Sequence, residues 1–147
     1  MQHLDWEKLV KRYVWHDEKT PYFTRVRNLT PVQAGYELLA YSLFTGIFFA
    51  VLAVASFSQK LPHGTAPVVA LYAFTVACAA VLLGTLRHPW AAMYCAASPL
   101  GMLAYFGVFG FPEGLAGMDH ALLVGIMAAW FAYSLRVVLV ASTCSRA

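Results

Sequence analysis

The stretch that decides the fold is the first of four apolar blocks, and it reads AGYELLAYSLFTGIFFAVLAVASF over residues Ala34–Phe57. A helix needs about 20 mostly apolar residues to cross a bilayer, and three similar blocks follow over residues 66–86, 89–111 and 120–142. Hydrophobic residues make up 61% of the 147-residue chain and charged residues only 12%, whereas soluble domains average about 25% charged residues. The sequence therefore predicts an all-α integral membrane protein, in which residues 30–147 form a bundle of four transmembrane helices.

The segment that precedes the first block, residues 1–29, is predicted to form a cytoplasmic arm. Its apolar side chains recur at near-helical spacing and its basic side chains lie on the other faces, which predicts a short amphipathic helix at the membrane surface. A helix that packs on a partner subunit fits the same pattern. Acidic and basic residues interrupt this stretch, so we expect the first span to insert as an uncleaved anchor rather than as a cleavable signal. Thr30, Pro31 and Gln33 carry the pattern of a helix start with a capping box.

The basic residues predict the orientation of the four spans. If successive loops alternate between the two sides of the membrane, nine of the ten Lys and Arg residues fall on one side and only Lys60 falls on the other. Because basic residues are enriched on the cytoplasmic side, both termini are predicted to be cytoplasmic. A short multi-pass chain of this kind is typical of the bacterial inner membrane, and we expect it there.

Small residues predict how the spans pack. Helices associate in lipid by close approach at small residues spaced four apart. The third span offers Ala92, Ala96, Ala97 and Gly101, and the fourth offers Gly125 and Ala129. We therefore expect the third and fourth spans to be the closest pair. The very short connection between the second and third spans makes those two antiparallel neighbours.

Two residue types predict local features within the spans. Pro99 lies in the middle of the third span, where it should kink the helix and free a backbone carbonyl that Ser98 can partly satisfy. Tyrosines fall toward the ends of the spans, as expected for interfacial aromatic belts, and they include Tyr36, Tyr41 and Tyr133.

Ionisable residues inside a membrane are costly and are therefore candidates for function. Glu37 in the first span and Arg136 in the fourth are both predicted to lie toward the cytoplasmic side. We expect them to form a structural ion pair that fixes the register of the two helices. The alternative is a proton or substrate relay that uses the same two side chains.

Histidines are the remaining candidates for ligand binding. His63 in the first outer loop and His120 at the start of the fourth span are predicted to lie on the same side of the membrane, so they could meet around a ligand. His88 is predicted at the opposite side, so it cannot share a haem iron with His120. The sequence contains no phosphate-binding loop, nucleophile elbow or CxxC pair. We therefore predict no catalytic residues, no metal site and no nucleic-acid binding.

Few polar residues in the spans and no catalytic motif favour a non-catalytic accessory or assembly subunit of a larger membrane complex. Its partners would be the lipid bilayer and other membrane subunits. One alternative is a small homo-oligomeric transporter or channel that uses Glu37 and Arg136. A second is a membrane anchor subunit that binds quinone or haem through its histidines.

Overall fold

The computed structural model describes residues 25–57, 67–111 and 117–144. A short 3-10 turn, Val26–Asn28, precedes four α-helices: α1 (Pro31–Phe57), α2 (Pro67–Leu86), α3 (Pro89–Phe109) and α4 (Gly117–Cys144). All four helices are long and apolar enough to cross a membrane, which indicates a multi-pass membrane protein. The prediction of four helices long and apolar enough to cross a membrane is confirmed, and the ends of the predicted blocks differ from the observed helix ends by at most a few residues. Most of the predicted cytoplasmic arm lies outside the described residues.

The start of α1 is fixed by reciprocal capping bonds. The Thr30 hydroxyl accepts a hydrogen bond from the Gln33 backbone N–H at 3.2 Å, and the Gln33 side-chain oxygen accepts one from the Thr30 N–H at 3.1 Å. Pro31 is the first helical residue, a position where the missing N–H costs no helical bond. The predicted capping box is confirmed.

Two residues, Arg87 and His88, connect α2 to α3. Arg87 adopts φ = +53°, a left-handed conformation that reverses the chain directly after α2. His88 then caps α3, because its Nδ1 accepts a hydrogen bond from the Trp90 backbone N–H at 3.3 Å. This turn makes α2 and α3 antiparallel, and we call this end of the bundle the turn end.

The most extensive helix contact joins α1 to α2, and the contact between α3 and α4 comes second. The expectation that the third and fourth spans are the closest pair is therefore wrong. Gly84 explains the observed preference, because a Cβ placed there would stand 2.6 Å from the Ser42 hydroxyl of α1. Gly46 also packs against α2, with the Ala80 Cβ 3.5 Å from the Cβ position of Gly46. Small residues thus bring α1 and α2 together.

The core has two parts along the bundle. At the turn end, side chains of all four helices pack together, including Leu38, Leu83, Cys95 and Val137. Farther along, Phe49 packs with Ala53, Ala73 and Val76 of α1 and α2, and Trp130 of α4 packs against both parts. Most other large apolar side chains point outward, as expected for helices whose solvent is lipid.

Candidate functional site

The buried face of α1 carries a line of polar side chains at four-residue spacing. Gln33, Glu37, Tyr41 and Thr45 are all buried, and the apolar Phe49 follows at the next step. At 1.5 Å per residue the line runs for about 18 Å from the turn end toward the middle of the bundle. Polar groups in a membrane interior require partners, so the contacts of this line are the first place to look for function.

Glu37 and Arg136 lie in direct contact. Arg136 Nε donates to Glu37 Oε1 at 2.7 Å, and a second guanidinium nitrogen donates to Oε2 at 3.2 Å. The carboxylate is almost fully buried, with 1% of the side chain exposed, whereas the Arg136 side chain is 27% exposed. This two-point geometry is the strong form of an arginine–carboxylate bond. It joins the first helix to the last.

Tyr41 lies one turn further along α1 and links three helices. Its hydroxyl is 2.7 Å from Ser134 Oγ of α4, and it donates at 3.3 Å to the Cys95 carbonyl of α3. Ser134 Oγ also lies 2.8 Å from the Trp130 carbonyl. Because each hydroxyl has one hydrogen, Ser134 donates either to this carbonyl or to Tyr41 when Tyr41 donates to Cys95. The expectation of an interfacial position for Tyr41 is wrong, because the residue is buried and its hydroxyl is used inside the bundle.

The Cys95 carbonyl needs these donors because of Pro99. Proline has no N–H, so the carbonyl four residues earlier lacks its normal helical partner. Ser98 Oγ donates to this carbonyl at 2.7 Å, and Tyr41 supplies the second contact. The predicted role of Ser98 is confirmed. The role of Tyr41 was missed. Its four-residue spacing from Glu37 and Thr45 places it on the same helix face, but this spacing does not identify its partner.

The six small residues expected at helix interfaces fall into two groups. Ala92 and Ala96 are buried in α3, and Gly101 accommodates the ring of Tyr72, whose hydroxyl is 2.5 Å from the Gly101 Cβ position. The other three are exposed, and they are Ala97, Gly125 and Ala129. A Cβ at Gly125 would meet nothing within 4 Å, so the small residues of α4 do not pack against α3 as expected.

The expected meeting of His63 and His120 lies outside the described residues, because His63 is not among them. His120 is partly buried, with its ring centroid 4.5 Å from that of Phe111, and His63 lies outside the described residues. His88 caps α3. Within residues 25–57, 67–111 and 117–144, no group of three His, Cys, Asp or Glu side chains could hold a metal ion.

An apolar cavity of about 450 Å³ lies among α1, α2 and α3, away from the turn end. Phe49, Tyr72, Met102, Tyr105 and Phe109 are among its lining residues. Its volume falls within the range of small-molecule sites, which is about 300–1,000 Å³. The cavity could hold a flat or extended apolar ligand.

Comparison with known proteins gives no family for the chain, because no protein family model, no curated protein and no solved structure matches it.

Proposed function

We propose that the protein is a non-catalytic accessory or assembly subunit of a larger membrane complex. The observation that carries this proposal is the outward position of Gly125 and Ala129 on α4, where a glycine has open space around it. In lipid, small residues at this spacing favour the close approach of another helix. The partner that fits is a transmembrane helix of a different subunit, lying along α4.

The buried polar residues support the same proposal. Glu37 is held by Arg136, and the hydroxyls of Tyr41 and Ser134 are bonded to each other. These groups join α1 to α4 rather than facing an open path. A structural use of the ion pair therefore accounts for both charges.

The test is purification of the tagged full-length chain from its native membrane in a mild detergent. Native electrophoresis and mass spectrometry then identify any subunit that is retained at fixed stoichiometry. Gly125→Leu should abolish that retention while the chain still folds, because leucine fills the space that the partner helix needs. Gly107→Leu is the matched control, since Gly107 of α3 also has open space around it.

Three results would contradict the proposal. The first is purification of the chain alone from the native membrane. The second is equal loss of the partner in the two leucine variants. The third is a homo-oligomer whose ion flux depends on Glu37. The last result would instead support the transporter alternative.

We also propose that both termini are cytoplasmic and that the membrane is the bacterial inner membrane. The support is the distribution of Lys and Arg along the sequence. Arg25, Arg27 and Arg87 belong to segments at the turn end, which this proposal assigns to the cytoplasmic side.

A second candidate function is an anchor subunit that binds quinone, and the apolar cavity among α1, α2 and α3 favours it. Solvent extraction of the purified protein should then yield quinone at close to one molecule per chain. Filling the cavity with Ala104→Leu, at another residue that lines it, should remove the quinone. A wild-type protein without extractable quinone would reject this candidate.

A further inference from the structure

A cleft of about 930 Å³ opens at the turn end, between the 3-10 turn, the start of α1, the Arg87–His88 turn and the end of α4. Its polar lining includes Arg27, Arg87 and His88, and its apolar lining includes Leu29 and Leu86. Such a combination of cationic and apolar groups suits an amphiphile with an anionic head.

The backbone conformation at Arg87 is one that residues with a side chain rarely adopt. Its φ of +53° is a conformation that favours glycine. Its guanidinium lies over Gly35 of α1, with one nitrogen 2.9 Å from the place where a Cβ of Gly35 would stand. Glycine inside a helix is also locally unfavourable. Arg87 stands at a position whose backbone conformation favours glycine, and Gly35 stands on α1 where the arginine packs. From this combination we infer that the guanidinium itself is needed at this place.

Among the described residues, no acidic side chain is paired with the arginines of the cleft. Neither Arg27 nor Arg87 has a carboxylate or carbonyl acceptor in the part of the chain that the structure describes. The one carboxylate described near this end, Glu37, is already bonded to Arg136. Because His88 Nδ1 accepts the bond from Trp90, the proton of its neutral ring is on Nε2, which is a hydrogen-bond donor. His88 also lines the cleft.

We propose that this cleft binds the phosphate of an anionic phospholipid, with Arg87 and Arg27 as the donors to the phosphate oxygens. Basic pockets between transmembrane helices at the membrane surface are suited to such headgroups. The apolar wall favours a lipid over a free anion. Leu86 is 68% exposed and Trp90 is 71% exposed, so both can contact the glycerol backbone and the first carbons of an acyl chain.

The proposal is tested on the purified full-length protein by native mass spectrometry. Phosphatidylglycerol and phosphatidylcholine are titrated separately, and the ratio of their dissociation constants is measured. The wild type should prefer phosphatidylglycerol. Arg87→Gly should reduce this preference about tenfold, as expected for the loss of a charge-assisted hydrogen bond. The variant should remain folded because glycine accepts the positive φ without strain.

Arg25→Gln is the matched control, because Arg25 is exposed at the same end but does not line the cleft. It removes the same charge and should change the preference by less than about twofold. Equal losses in both variants would show a general effect of charge and would overturn the defined site. Arg27→Gln provides a second cleft variant in case Arg87→Gly lowers the melting temperature.

Competition distinguishes the possible sources of the anion. Inorganic phosphate at millimolar concentration should not displace phosphatidylglycerol, because it lacks the acyl chains that contact the apolar wall. Complete displacement would overturn the assignment to a lipid. If Asp17→Asn with Glu18→Gln abolished the lipid preference in the full chain, the N-terminal segment would be part of the site, and the proposal as stated would fail.

Discussion

At the scale of single residues, the burial of Glu37 and Arg136 is unequal although they form one pair. The carboxylate is shut inside the bundle, whereas more than a quarter of the Arg136 side chain is exposed. If either partner is removed, the group that remains therefore meets a different environment. An unpaired buried charge is far more costly than an unpaired charge that can reach water.

Arg136→Gln should therefore destabilise the protein by about 3–5 kcal/mol, the usual cost of breaking a buried pair. Glu37→Gln should cost clearly less, because the guanidinium that it leaves behind can reach the membrane surface. Thermal unfolding in detergent, followed by circular dichroism, measures both effects.

The double variant Glu37→Gln with Arg136→Gln is the internal control for this pair. It removes both charges, so it should be more stable than Arg136→Gln alone. A double variant at least as unstable as the sum of the two single variants would show that the residues act independently.

The sequence allowed both residues to be singled out, because charges are rare inside the spans, but it did not show the unequal burial. The same limit applies to Tyr41. A tyrosine near the end of a span is typical of a residue at the membrane interface. Its bond to the Cys95 carbonyl depends on how α1 packs against α3, and no local pattern in the sequence contains that information.

At the scale of helices, small residues predicted close packing but not which helices would meet. In a soluble helix, polar residues mark the face that points outward. Here the outward faces are apolar and several polar side chains of α1 are buried instead, so this signal is missing. Gly84 and Gly46 bring α1 and α2 together, whereas Gly125 of α4 faces outward, and the sequence presents all three in the same way.

Gly84→Ala should destabilise the isolated protein by about 1–3 kcal/mol, the usual cost of overpacking. The reason is that the new methyl group would overlap the Ser42 hydroxyl, which lies 2.6 Å from its position. Thermal unfolding measures the change. Ser42→Ala should relieve part of it in the double variant, because it removes that oxygen.

Gly107→Ala serves as the control for this prediction. Nothing lies within 4 Å of its Cβ position, so alanine should be neutral or stabilise the helix by up to about 1 kcal/mol. If Gly84→Ala were equally harmless, the close contact between α1 and α2 would be wrong.

At the scale of the whole molecule, the start of α1 and the end of α4 both lie at the turn end. The four spans and their short connections could be predicted from apolar length alone, because a bilayer sets a minimum length for a helix. The arrangement of the helices around one another could not, since it depends on contacts between distant residues such as the pair formed by Glu37 and Arg136.

A reporter fused to the C-terminus should be cytoplasmic. Green fluorescent protein at this position should fluoresce, and alkaline phosphatase at this position should be inactive. Alkaline phosphatase inserted at Lys60 should be active, because that loop is predicted to lie on the opposite side. The reverse pattern of activities would show that the chain is inverted.

The bond between Glu37 and Arg136 can form only late in the synthesis of the chain. The two residues are 99 positions apart, and ribosomes add about 5–20 residues per second. Roughly 5–20 seconds therefore pass between the synthesis of Glu37 and the synthesis of Arg136. During that interval α1 carries an acid without its partner, and ionisable residues inside a membrane are costly. The ion pair can therefore form only after the chain has been synthesised as far as Arg136.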